Sequence, residues 1–151
     1  MKYILFFFLV MNGTAVLAQE SESEAVQKAI ETFFNGFHKQ DSVIIKQTVS
    51  NSIILETIAK DKDGHGYVRR EQFKDFLKSI VGIPKTTKFD ERILSYNIQV
   101  DGTMAHAWTP YEFWLDGKFH HCGVNSFQLF KDNENWKIIY LVDTRRKKGC
   151  N

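Results

Sequence analysis

The sequence predicts an α+β domain, with helices first and then a run of long strands that curve into one sheet. Three observations predict it. From Leu94 to Arg146, apolar and aromatic residues alternate with polar ones over four consecutive segments. Those segments are separated by Asp101-Gly102, Asp116-Gly117 and Asp132-Asn133-Glu134-Asn135, which are turn-forming breaks between β-formers. Upstream, apolar residues recur at helical spacing, and helices that precede a run of strands pack on one side of the sheet.

The chain opens with a short basic start, Met1-Lys2, and an apolar run from Tyr3 to Val10. Val16-Leu17-Ala18 then supplies small residues at −3 and −1 of a cleavage site. This pattern predicts a secretory signal peptide over residues 1–18, cut after Ala18, and a mature domain over 19–151. The run is short for a transmembrane span, which needs about 20 apolar residues; an uncleaved anchor is the alternative. The expected location is secreted or periplasmic, with no membrane attachment after cleavage.

Ser21 followed by Glu24 is a capping box, and Val26, Ala29, Ile30, Phe33, Phe34 and Phe37 continue one helical stripe to about His38. Asp41 can cap a second, shorter helix through about Val49. Ile53–Ile58 is rich in β-formers. Arg70–Ile80 reads as a third helix with Phe73, Phe76, Leu77 and Ile80 on one face, ended by Gly82 and Pro84.

In the strands, register follows from the parity that must be buried. Leu94, Tyr96, Ile98 and Val100 are expected inside, with Ala105, Ala107, Thr109, Tyr111 and Phe113. His121 and Asn125 share the parity of Phe127 and Leu129, and in the last strand Tyr140, Val142 and Thr144 share that of Trp136 and Ile138. A three-residue turn with a bulge at Gly117 gives this pairing, and Pro110 implies a bend. His120 and His121, being adjacent, are expected on opposite faces. Glu112 and Asp143 fall outside, unless the register slips by one.

Several classes of function are excluded or disfavoured. The formal net charge is +2, which gives no electrostatic case for nucleic acid. No zinc spacing, Gly-rich phosphate loop or nucleophile elbow occurs, and nothing calls for a cofactor. Asp61-Lys62-Asp63-Gly64-His65-Gly66 resembles the start of a calcium loop. However, His65 stands where an oxygen ligand belongs and Gln72 where a bidentate Glu is needed. A polar hairpin turn is the preferred reading, and no metal site is expected. The two cysteines, Cys122 and Cys150, invite a disulfide in an oxidising compartment; two separate thiols are the alternative.

Phe33-Phe34-Asn35-Gly36 with Lys39-Gln40-Asp41, Asp90-Glu91-Arg92 and Trp108-Thr109-Pro110-Tyr111-Glu112-Phe113 are family-like stretches. So are His121-Cys122-Gly123, Phe127-Gln128-Leu129, Trp136-Lys137-Ile138 and Asp143-Thr144-Arg145-Arg146 with Gly149-Cys150. Together they resemble the nuclear transport factor 2-like superfamily. Within it, they are similar to the exported SnoaL-like bacterial proteins provisionally named lumazine-binding. The resemblance implies a cone, a curved antiparallel sheet wrapped around three helices, with a pocket at its open end. It also implies homodimers through the outer sheet face, where Trp108 and Trp114 are expected.

The inward polar residues are then the candidate site. Thr109, Tyr111, His121, Asn125, Tyr140 and Thr144 are expected to line a pocket for a small organic ligand. His121 is the candidate general acid or base, with Tyr111 donating to a carbonyl or developing oxyanion. Three functions follow: a small-molecule-binding module, an acid–base enzyme of ketosteroid-isomerase type acting on a carbonyl substrate, or a non-catalytic dimerisation domain.

Overall fold

The computed structural model describes residues 21–150; the expected signal peptide lies outside them. Helix α1 spans Glu22–Lys39, α2 Ser42–Gln47 and α3 Phe73–Gly82. The strands are β1 (Val49–Lys60), β2 (Gly66–Glu71), β3 (Phe89–Ile93), β4 (Asn97–Asp101), β5 (Met104–Leu115), β6 (Lys118–Asp132) and β7 (Asn135–Thr144).

The helix starts follow their caps. Ser21 and Glu24 form the full capping box at α1, and the Asp41 carboxylate accepts from the Val43 and Ile44 N–H groups at α2. The third helix starts later than Arg70, because Arg70 and Glu71 are held in β2 by pairing with Glu56 and Leu55 of β1. Strand β3 is an element that the sequence pattern does not predict. Its alternation is only five residues long, and the chain bends out of register before β4 begins.

The seven strands form one open sheet in the order β2-β1-β7-β6-β5-β3, with β4 also paired to β5. The expected all-antiparallel sheet is in fact mixed, because β1 and β7 run parallel. A parallel pair needs a long crossover, and here everything from β2 to β6 lies between its two strands. Strands β3 and β4 are consecutive halves of one bent edge, pairing with the far and near halves of β5. Pro110 sits in β5 opposite that bend. Its carbonyl accepts from the Leu94 N–H at 2.9 Å. Its missing N–H would point to the same side, where the edge strand is interrupted, so little pairing is forfeited. The same bend carries Leu94 out to solvent, against expectation.

The helices fill the concave side. Val26, Ile30 and Phe33 of α1, Ile45 of α2 and Leu77 and Ile80 of α3 meet Ala105, Ala107, Phe127, Leu129, Trp136 and Ile138 of the sheet. Beyond burial, edge-on pairs such as Phe33–Phe127 and Phe34–Phe127, with centroids 6.4 and 6.2 Å apart, fix the rings.

Cys122 and Cys150 are joined by a disulfide. Paired N–H···O bonds between Cys122 and Arg146 bring the tail back against β6. Cys150→Ser is expected to lower stability by about 3 kcal/mol, the loop-closure value for a loop of this size. Urea unfolding of the oxidised protein and the variant measures it; equal midpoints would mean that the tail does not restrain the unfolded chain.

The Asp61 segment is the hairpin turn between β1 and β2. Asp61 Oδ1 accepts from the N–H groups of Asp63 and His65 at 2.9 and 2.8 Å, so this carboxylate serves the turn.

Candidate functional site

Two bulges decide which side chains meet inside the cone. In β7 the pairing runs Gln128↔Tyr140 and then Leu129↔Ile138, so Ile139 is an extra residue and the inward parity switches there. Trp136 and Ile138 are inward before the bulge, Leu141 and Asp143 after it. Tyr140 and Thr144, expected in the pocket, therefore lie on the other face. The Tyr140 hydroxyl donates to Glu56, and Thr144 Oγ1 accepts from the Val124 N–H at 3.2 Å. Asp143, expected outside, is buried. Glu112 does stay outside, accepting from Trp114 Nε1 at 3.0 Å.

The second bulge is in β6. Asp116 and Gly117 both have positive φ, so the β5–β6 turn is a two-residue one, Leu115↔Lys118, not the expected three-residue turn. The missing residue is restored further on, where Phe113↔His121 follows Trp114↔Phe119 and His120 is extra. Tyr111 and His121 thus remain inward as expected. The bulge also overturns the expected separation of His120 and His121: their Nδ1 atoms lie 2.8 Å apart, so one ring donates to the other.

Two adjoining cavities open among these residues. The deeper has a volume of about 80 Å³ and the wider, at the mouth, about 590 Å³. They share Phe37, Glu71, Phe76, Glu91 and Arg145. Of the expected site residues, Asn125 lines the deeper cavity, and His121 lines the wider one. Thr109 and Tyr111 are inward but almost wholly buried behind the wall.

The polar floor is made of two hydrogen-bonded groups. Glu91 Oε1 accepts from Asn125 Nδ2 at 2.8 Å. Asp143 Oδ2 takes Arg145 Nε at 2.7 Å, and the Tyr111 hydroxyl lies 3.4 Å from the same oxygen and donates to the Thr144 carbonyl at 3.0 Å. Glu91 is fixed from behind, because its own N–H donates to His38 Nε2 at 2.9 Å. That accepting nitrogen must be unprotonated, in keeping with a His38 pKa lowered chiefly by burial.

Two groups that line the cavities have strongly shifted titrations. Burial lifts the Glu91 carboxyl to about 7, against the Asn125 hydrogen bond, with the Asp143 charge adding to the rise. Burial, then the Arg145 and His120 charges, lower His121 to about 4. His121 is stacked on Phe113, with centroids 4.9 Å apart, and edge-on to Tyr111 at 5.7 Å. It is thus a neutral imidazole near pH 7, whereas the Glu91 carboxyl changes protonation there.

Glu91, Asp143 and Arg145 were missed as site residues. Glu91 had a signal: Phe89, Glu91 and Ile93 share one parity, and a carboxylate between two inward apolar residues marks a buried acid. Asp143 is brought in by the one-residue slip given as its alternative, at the Ile139 bulge, and Arg145, which depends on the same bulge, had no signal.

No family model matches the chain, and no curated protein does. Solved structures match over most of the chain. A protein of unknown function from Shewanella baltica OS155, described as nuclear transport factor 2-like, has 16% identity and a TM-score of 0.59, covering 82% of this chain and 93% of its own. A Streptomyces avermitilis protein of that kind, provisionally named a dehydratase, has 12% identity and a TM-score of 0.62, covering 83% and 96%. A Shewanella frigidimarina NCIMB 400 protein provisionally named a ketosteroid isomerase has 13% identity and a TM-score of 0.57, covering 79% and 94%. With a curved open sheet wrapped around three helices and neighbours described as nuclear transport factor 2-like or cystatin-like, the chain has the nuclear transport factor 2-like fold.

Proposed function

We propose that the chain is an exported small-molecule-binding domain whose cone holds a partly aromatic organic ligand. The observation that carries this is the pair of adjoining cavities, walled by Phe33, Phe34, Phe37 and Phe76 and floored by Glu91 and Asn125. An apolar cavity with a few converging polar groups is the usual form of such a site. Export rests on the first 18 residues of the sequence and is compatible with the disulfide. Among the described residues no helix is long and apolar enough to cross a membrane.

The test is to purify the protein natively from the cells that make it, unfold it, and analyse the released small molecules by mass spectrometry. A stoichiometric compound is expected, absent from Thr57→Met, in which the added side chain occupies part of the deeper cavity. If no compound is retained and no small aromatic molecule raises the melting temperature, the reading fails.

A second reading, acid–base catalysis on a carbonyl substrate, is favoured by one observation: a buried carboxyl poised near neutrality beside Asn125. Here Glu91 moves the proton, and His121 is a neutral donor. Glu91→Gln then abolishes turnover, while His121→Ala lowers it less; the reverse order refutes the assignment.

The outer face supports self-association. Trp108 and Ile54 are exposed there, and an apolar sheet face of this kind favours a second copy. Sedimentation velocity at tens of micromolar is expected to give a dimer; a monomer at that concentration removes the proposal.

A further inference from the structure

The charges around the deeper cavity are unequal. Its wall carries three inward carboxylates, Glu71, Glu91 and Asp143, and one cation, Arg145; the Glu56 carboxylate, at its edge, turns to Tyr140 and Arg70 on the other face. Asp143 is matched by Arg145 at 2.7 Å. Glu71 and Glu91 form no ion pair among the described residues, and Glu91 has only the neutral Asn125 amide as a side-chain donor. The remaining wall holds four phenylalanines beside Leu55, Thr57, Asn125 and Leu141. Phe76 lies parallel to Phe33 and to Phe37, with centroids 6.2 and 6.3 Å apart, and Phe34 stands edge-on to Phe37 at 6.1 Å. The negative faces of such rings attract a cation, the more so when it is desolvated.

An inorganic cation fits this place poorly. The one cluster of candidate ligand atoms among the described residues is the exposed Asp61, Asp63 and His65 turn, not the cavity. A hard ion wants six or more converging oxygens, whereas an organic ammonium needs only a carboxylate nearby and ring faces around its methylene or methyl groups. At the mouth, Arg69 and Arg145 stand against Glu71 and Glu91. The balance of charge therefore turns negative only further in, which draws a positive head inward and opposes a negative one.

Resting on the binding reading above, we infer that the pocket takes the ammonium group of a small organic amine, held between the phenylalanine rings and the Glu91 carboxylate. The body of the ligand occupies the wider cavity at the mouth, next to His121 and Phe113. Proton and ligand then compete for Glu91. Affinity for the amine falls as pH drops through about 7 and the carboxylate is protonated.

Isothermal calorimetry on the intact mature protein at pH 8 tests this with three probes of like size: phenyltrimethylammonium, neutral 2-phenylethanol and anionic 3-phenylpropionate. The ammonium is expected to bind about tenfold tighter than the alcohol, and the propionate more weakly than either. Glu91→Gln should erase the preference for the ammonium over the alcohol; the comparison among probes on the unaltered protein stands whether or not the variant folds. If the alcohol or the propionate binds as well as the ammonium, the amine inference falls while the pocket reading survives. If the preference persists in a folded Glu91→Gln protein, the assignment to Glu91 falls. If no probe binds, both readings fall.

Discussion

Gly123→Ala is expected to destabilise the protein by roughly 3 kcal/mol or more, at the upper end of what forced overpacking does. A methyl group on Gly123 would lie 1.8 Å from the Thr144 carbonyl oxygen and 2.7 Å from the Tyr111 ring. Neither neighbour can yield cheaply. The carbonyl is backbone and accepts from the Tyr111 hydroxyl, and Tyr111 is almost wholly buried. The end of β7 must then lift off β6, and with it go Asp143 and Arg145, which shape the pocket. Urea unfolding measures the loss. A second readout is the rate at which a reductant opens Cys122–Cys150, expected to rise because the tail is tethered just beyond the lifted segment. A change below about 0.5 kcal/mol, the size of an ordinary surface substitution, would mean that β6 and β7 are not this close.

Glu91→Gln is expected to stabilise the protein at pH 8 and to do nothing for it at pH 4. The carboxyl is raised from 4.5 to about 7 by burial, so the folded state holds its proton more tightly than the unfolded chain does. The sign follows: this group's favourable contribution is fully present below about 4.5 and is lost as pH rises through about 7. Glutamine cannot ionise and keeps an oxygen for the Asn125 amide. The gain from the variant should therefore grow from nothing to roughly 3 kcal/mol across that window. Urea unfolding at a series of pH values measures it, and parallel curves for the two proteins would contradict a desolvated Glu91. A binding or catalytic site that strains the fold in this way is the usual origin of a stabilising, function-losing substitution.

The parts of the fold legible in the sequence were those with a single consistent period. The stripe from Val26 to Phe37 could be buried in only one way, and so could Ala105 to Tyr111; both are found as expected. The site was harder, because it lies just past two positions where the pattern is silent. Ile138-Ile139-Tyr140-Leu141-Val142 is apolar on both parities, so an extra residue at Ile139 leaves no trace in the alternation while turning Asp143 in and Thr144 out. His120 and His121 are the same residue twice, so a bulge there is equally invisible. His121 and Asn125 were found because Phe127 and Leu129 fix their parity without interruption. Glu91 depended on β3, too short a strand to assert itself against the loop residues around it.

The last strand of the chain, β7, lies in the middle of the sheet, between the first strand and the sixth. A protein assembled in that order cannot settle from its leading end as it emerges during synthesis. Until residues 135–144 are made, the β1–β2 hairpin has no wall to rest on, and the remaining strands have no way to reach it. Completion is one late, cooperative event with long sequence separations, the kind of topology that folds slowly. Clipping the final strand would dissolve the whole sheet, not merely trim an edge.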